Sequence, residues 1–169
     1  MIKLQKPFLK WAGGKSQIIH NILDKIPDSM NNYHEMFTGG GSVLLAVLSL
    51  QKENKIIIKN DIYAYDININ LINVYKNVQK NKEKLYNYIE FYTKEYDSIP
   101  NGNNITNRNP NTIEEAKTSK ESYYYYLRNK YNELCKSNDS NVSNDSNKNI
   151  ECSALFIFLN KTCYAGRCG

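Results

Sequence analysis

Apolar residues in this chain recur in blocks whose spacing changes along its length. Ile18, Ile19, Ile22, Leu23 and Ile26 stand three and four apart, as on one face of a helix, and Pro27-Asp28 ends that helix. An unbroken apolar run from Val43 to Leu48 predicts a second helix, entered from Ser42. Residues 55–59 and 62–65 both read as strands, and the intervening Asn60-Asp61 is either a hairpin turn or a loop. From Ile67 the helical spacing returns and runs on through Leu85, Tyr88, Ile89 and Tyr92, with a soft break near Asn81. Pro100, Gly102 and Pro110 among asparagines make 97–112 a loop. A further helix is predicted over 113–136. Its four consecutive tyrosines, 123–126, cover all sides of a helix, so some pack inward and others are exposed. Residues 137–149 carry Ser-Asn-Asp-Ser-Asn twice and bury no core, which predicts a flexible low-complexity loop. The apolar stretch 153–159 is a buried helix leading into Asn160 and the residues that follow.

A chain of 169 residues buries roughly 70% of its unfolded surface, enough for one domain, or for one domain with an insertion. No segment reaches the roughly 18 apolar residues of a membrane span, and the first residues lack the apolar stretch of a signal peptide. A cytoplasmic or nuclear-type compartment is the expectation. Cys135, Cys152, Cys163 and Cys168 form no C-x-x-C pair and are read as reduced thiols rather than metal ligands or disulfides. His20 and His34 are isolated, so no metal site is expected. With 22 Lys+Arg against 17 Asp+Glu, the net charge of +5 is compatible with a nucleic-acid partner without demanding one.

Two glycine clusters carry the candidate chemistry. The first lies in Trp11-Ala12-Gly13-Gly14-Lys15, where the only tryptophan stands four residues before a lysine at a helix start. Lys15 and Trp11 read either as ligand contacts or as a surface lysine beside a buried indole. The second is Phe37-Thr38-Gly39-Gly40-Gly41-Ser42, a turn between a strand and an apolar helix. Glycines there let backbone N–H groups approach a ligand, and the helix N-terminus adds partial positive charge. A dinucleotide fingerprint needs glycine where Leu44 stands, and a phosphate-binding Walker loop needs one at Leu9, so both are weakened. What remains is F-x-G-x-G-S followed, at the end of the next strand, by Asp66. That pairing suits a nucleoside, its tail over the glycines and its ribose hydroxyls donating to the carboxylate. A glycine turn that merely packs is the plain alternative.

The order Phe-Leu-Lys-Trp-Ala-Gly-Gly-Lys (8–15), Phe-Thr-Gly-Gly-Gly-Ser (37–42), Asp-Ile-Asn-x-x-Leu-Ile-Asn-x-Tyr (66–75) and Leu-Asn-Lys-Thr-Cys-Tyr-x-Gly (159–166) resembles the Dam-type DNA adenine-N6 methyltransferases. The resemblance implies an α/β fold: a Rossmann-like S-adenosylmethionine-dependent methyltransferase sheet, incomplete here, with an α-rich target-recognition insertion. It implies that residues 1–75 are the S-adenosylmethionine-binding half and 76–169 the insertion. Carried over, the cofactor residues are Trp11, Lys15, Phe37, Gly39, Gly41 and Asp66. Asn160, Lys161, Tyr164 and Arg167 are placed beside double-stranded DNA. One small departure is Met36, where the family usually has proline.

The larger departure concerns catalysis. Family members hold the flipped adenine at a D/N-P-P-Y/F motif, whose acceptors take hydrogen bonds from the exocyclic amine. The four prolines here, at 7, 27, 100 and 110, are never adjacent, so no catalytic residue is assigned. The resemblance implies adenine-N6 methyl transfer by a complete enzyme, the catalytic half coming from a second chain or a downstream segment. This chain alone is expected to be inactive. A degenerate or truncated non-catalytic DNA- or partner-binding protein, and a nucleotide-binding enzyme unrelated to methyl transfer, are the alternatives. Exposed apolar surface is expected on the cofactor half.

Overall fold

The β-branched run Ile56-Ile57-Ile58 alternates in the computed structural model, which describes residues 3–100, 106–138 and 146–163: Ile56 and Ile58 are buried and Ile57 faces out. That period of two is what one covered sheet face imposes. Two chain passages form the strands. β1 (Ser29–Met30) pairs with β3 (Ile57–Ile58), and β2 (Tyr33–Glu35) pairs with β4 (Ile62–Ala64), both in parallel. Asn60-Asp61 is therefore a loop rather than a hairpin turn, because the runs on either side of it pair with different partners and not with each other.

The chain divides into two compact units with the boundary at 72/73. In the first, a 3-10 turn (Lys15–Ile18) leads into α1 (Ile19–Leu23), which is shorter than the expected helix. Its last backbone bonds turn tight, with Lys25 and Ile26 donating to carbonyls three residues back. α2 (Ser42–Lys52) buries Val43 and Val47 against Ile56 and Ile58, with Ile19, Ile22 and Leu23 of the α1 region packing beside them. The strands form two separate two-stranded sheets, and one side of them is thus covered. The other carries Ile57, His34, Tyr63 and Tyr65, with the His34 and Tyr63 rings stacked at 4.8 Å. Exposed apolar side chains on this unit agree with expectation.

α3 (Ile69–Lys80) starts where Asn68 Oδ1 accepts from the N–H of Leu71, and it stops at Asn81. α4 (Lys82–Ser98) follows, so the soft break expected near Asn81 is a true helix boundary. The second unit is helical. The helix expected over 113–136 is two: α5 (Ile113–Ala116), capped by Thr112, and α6 (Lys120–Asn138). Ser119 accepts from the N–H of Ser122 through its side chain and so starts a new helix where continuity was expected. α7 (Ser146–Thr162) is longer than the apolar stretch that announced it. The loop expected over 137–149 is corrected at both ends: 137–138 belong to α6 and 146–149 to α7, while 139–145 lie outside the described residues. Asn149 is tied down, accepting at 2.7 Å from the Asn77 amide, which also donates to Ser153 at 2.8 Å.

Tyr92, Tyr123, Leu127, Leu155, Phe158 and Leu159 form the core of this unit. Of the four consecutive tyrosines, Tyr123 is buried and the other three are half-buried; none is fully exposed as expected. The buried phenols are anchored to charge. Tyr123 donates to Glu95, which Lys117 also contacts, and Tyr92 donates to Glu151, which pairs with Lys130 at 2.7 Å. Burial, then these carboxylates, push both phenols well above the usual tyrosine range. Burial alone would raise Glu95 and Glu151. Hydrogen bonds from Lys117 and Tyr123 to Glu95, and from Lys130 and Tyr92 to Glu151, outweigh it and hold both carboxyls below the ordinary range. Among the described residues no helix is long and apolar enough to cross a membrane.

Candidate functional site

Parallel pairing brings the C-terminal ends of β2 and β4 side by side, and the residues beyond both ends converge. After Glu35 the chain makes the glycine turn, and after Ala64 it reaches Tyr65 and Asp66. The turn is stitched to the neighbouring strand end by Thr38, whose N–H donates to the Tyr65 carbonyl at 2.9 Å and whose hydroxyl donates to the same oxygen at 3.0 Å. Gly39 (φ +49°) and Gly41 (φ +79°) occupy the left-handed region that side chains resist. Gly41 then serves as N-cap of α2, which has no side-chain cap and no acidic residue in its first turn.

Trp11 explains the glycines from the other side. A Cβ built on Gly39 would sit 2.9 Å from the indole Cδ1, and one on Gly40 would sit 3.0 Å from the Trp11 Cβ. Trp11 therefore packs against Gly39 and Gly40 in the space that their missing side chains leave. The Gly39 N–H is also engaged, donating to Asp66 Oδ2 at 2.9 Å, and Asp66 Oδ1 accepts from the Asn68 N–H at 2.9 Å. Asp66 thus ties the glycine turn, the end of β4 and the start of α3 together. A carboxylate offers about four acceptor positions, so two backbone bonds leave capacity for a ligand hydroxyl.

Lys15 reaches the same place, its ammonium donating to the Phe37 carbonyl at 3.2 Å and lying 3.9 Å from Glu35 Oε1. Glu35 is a residue that sequence reasoning did not single out. It is buried and accepts from the Tyr33 hydroxyl, and burial, then Glu35, raise that phenol above its usual range. The available signal was a lone acidic residue ending a strand immediately before a glycine turn. Phe37 is 78% exposed, its ring at the rim.

Trp11, Lys15, Phe37, Gly39 and Asp66 line one cavity of about 180 Å³. Gly41 does not line it and acts through the turn and the helix start. A second cavity, about 820 Å³, shares the Trp11, Gly14, Gly40 and Ser42 walls and extends beneath the segment from Lys3 to Lys10. Ligand sites usually enclose about 300–1,000 Å³, so the smaller cavity by itself is below the size that encloses a whole small molecule.

The expected DNA contacts fare differently. Asn160 is buried, 5% exposed, in the last turns of α7, and Lys161 is exposed. Tyr164 and Arg167 lie outside the described residues.

Residues 11–169 match the family described as D12 class N6 adenine-specific DNA methyltransferase. The chain is 34% identical over 166 residues to the type II methyltransferase M.MjaIII of Methanocaldococcus jannaschii, covering 95% of this chain and 47% of that protein. It is 31% identical to the DNA adenine methylase of Haemophilus influenzae (96% of this chain, 42% of the relative) and 27% identical to that of Serratia marcescens (99% and 46%). The chain therefore spans less than half the length of these relatives.

Proposed function

Because this chain belongs to the D12 class N6 adenine-specific DNA methyltransferase family, we propose that its first unit binds S-adenosylmethionine for transfer of a methyl group to adenine N6 in double-stranded DNA. The observation that carries this reading is the convergence of Trp11, Lys15, the glycine turn and Asp66 on one cavity beyond the C-terminal ends of two parallel strands. Open α/β sheets bind nucleotides in that position. The parallel pairing of the two strand passages with α2 in the connection between them supports a Rossmann-like sheet.

The donor set fits the cofactor's parts. Asp66 has acceptor capacity for ribose hydroxyls, and the uncapped α2 N-terminus favours a carboxylate. Trp11 offers an aromatic wall. Lys15, fixed between Phe37 O and Glu35, adds positive charge at the rim. When bound, S-adenosylmethionine supplies an electrophilic methyl group on a sulfonium. What these residues contribute is position: aligning amine, carbon and sulfur removes much of the entropic barrier to transfer. Since no two prolines adjoin, the acceptors for the adenine amine are proposed to come from a second segment or chain. Lys161 is proposed as a phosphate contact and Asn160, being buried, as a residue that holds the end of α7; Tyr164 and Arg167 are proposed beside the duplex. A DNA substrate would place the protein in the compartment that holds DNA.

Trp11 is the only tryptophan, so its emission reports directly on the site. Titration with S-adenosylmethionine should change that emission saturably, and the calorimetric affinity should match it. ATP or NAD competing at equal concentration would instead support the unrelated nucleotide-binding reading. Methyl transfer to adenine-containing duplexes, with and without a segment carrying D/N-P-P-Y/F, distinguishes an enzyme half from a non-catalytic binder.

A further inference from the structure

Two cysteines distant in sequence meet in the helical unit. Cys135 lies near the end of α6 and Cys152 in the second turn of α7, with their Sγ atoms 3.1 Å apart. They are not joined by a disulfide in this structure. A covalent S–S bond measures about 2.05 Å, so the sulfurs need to close by only about 1 Å. Their surroundings differ in a way that gives each a role. Cys135 is half-buried and open to a small oxidant, whereas Cys152 is buried. The hydrogen bond between the two thiols, and then burial, push the Cys152 thiol above the ordinary cysteine range, and the difference in burial makes Cys135 the sulfur that an oxidant reaches first.

We propose that Cys135 and Cys152 form a peroxide-oxidisable dithiol that closes reversibly to a disulfide joining α6 to α7. The Cys135 thiolate attacks one oxygen of hydrogen peroxide, the O–O bond breaks and hydroxide leaves, giving a sulfenic acid. Cys152 sulfur then attacks Cys135 sulfur, loses its proton, and the sulfenic oxygen departs as water. Two thiols are oxidised, one peroxide is reduced to two waters, and no other reactant is needed. Reduction runs by attack of an external thiolate on the more accessible Cys135 sulfur. The bond closes the segment between two positions 17 apart, the stretch that carries the Ser-Asn-Asp-Ser-Asn repeats. It therefore constrains the connection between the two helices on which this unit's core is built.

The test uses the 169-residue chain with Cys163→Ala and Cys168→Ala, so that only this pair remains. Graded hydrogen peroxide is followed by alkylation, intact-mass measurement and peptide mapping. The expected product has lost two hydrogens, both sulfurs resist alkylation after unfolding, and dithiothreitol restores them. Its melting temperature should exceed that of the reduced form by roughly 5–10 °C. Cys135→Ser in the same background should show neither change. Should the background variant not fold, the unaltered chain yields the same diagnostic, a peptide cross-linked between 135 and 152. Over-oxidation of Cys135 to sulfinic acid with Cys152 still alkylatable, or disulfide-linked dimers as the main product, would overturn the proposal.

Discussion

Asp66→Ala removes one side chain that carries two separate duties. The carboxylate accepts from the Gly39 and Asn68 N–H groups, each at 2.9 Å and part-buried. A hydrogen bond to a charged group contributes about 1.5–3 kcal/mol, and water can replace part of it at a half-exposed site, so the pair should stabilise the first unit by about 2–3 kcal/mol. Asp61 is the control, because among the described residues its carboxylate accepts from the Tyr63 hydroxyl alone, at 3.2 Å on the surface, and Asp61→Ala should be near neutral. Urea unfolding reads this difference as a lower midpoint for Asp66→Ala alone. The ligand duty is read separately by calorimetric titration with S-adenosylmethionine at a temperature where every variant is folded. Loss of one charge-assisted bond to a ribose hydroxyl should weaken affinity by roughly 10–150-fold. Asp66→Asn keeps one acceptor oxygen but no charge, so it should recover part of the stability and less of the affinity. An Asp66→Ala midpoint equal to wild type would refute the stitching role. Equal affinity losses in Asp61→Ala and Asp66→Ala would show that the ribose acceptor is misplaced.

Gly39→Ala puts a Cβ into the left-handed region and against the indole, which should cost about 2–3 kcal/mol, seen by denaturation with a shift in Trp11 emission. An unchanged emission spectrum would contradict the packing. Because Glu95 and Glu151 are held below the ordinary carboxyl range in the folded state, their stabilisation is complete above the unfolded pKa and is lost as pH falls through the lowered folded value. Tyr92 and Tyr123 are shifted upward, so their contribution is complete below about pH 10 and fades above it. Melting curves should fall off below roughly pH 4.5 and again above pH 10, and Tyr92→Phe with Tyr123→Phe should remove much of the alkaline limb. On DNA, the chain should bind duplexes weakly with little sequence preference, and Lys161→Ala with Arg167→Ala should reduce the slope of log affinity against log salt by about 0.9 for each phosphate no longer neutralised. Anisotropy titrations that found tight binding to one short palindrome, indifferent to both substitutions, would count against this.

The fold was readable where one periodicity held for several residues together. The strand run at residues 55–59 and the break at Asn81 both announced themselves in residue types, whereas three identical isoleucines could not say which of them face inward. The split between α5 and α6 did not, because Thr118 and Ser119 resemble ordinary polar helix positions until the Ser119 side chain is seen capping Ser122. The repeats were read as too polar to pack, yet their second copy runs into α7 at Ser146, and the amide of Asn77 72 residues earlier meets Asn149 just beyond it. At the site, residue types were enough to nominate Trp11, Lys15, Gly39 and Asp66. They were not enough to show that the indole packs over Gly39 and Gly40, since that contact joins residues distant in sequence and exists only once the chain is folded. The burial of Asn160 is not legible either: it follows an apolar stretch that ends at Leu159, but α7 runs past it to Thr162.

The parallel register also has a kinetic meaning. Tyr33 opposes Ile62, and every rung of that ladder closes a loop of nearly thirty residues that includes all of α2. No turn can zip these strands, so chain diffusion must find the first rung before any hydrogen bond rewards it. Asp66 meets Gly39 only after that search succeeds, and α1 and α2 can form beforehand without creating a site. Whatever occupies the cavity consequently binds only chains that have completed the search, and slows their unzipping. Occupancy should therefore lengthen the lifetime of this unit more than it speeds its formation, so slower amide exchange at Thr38, Gly39 and Tyr65 is where a ligand would first be felt.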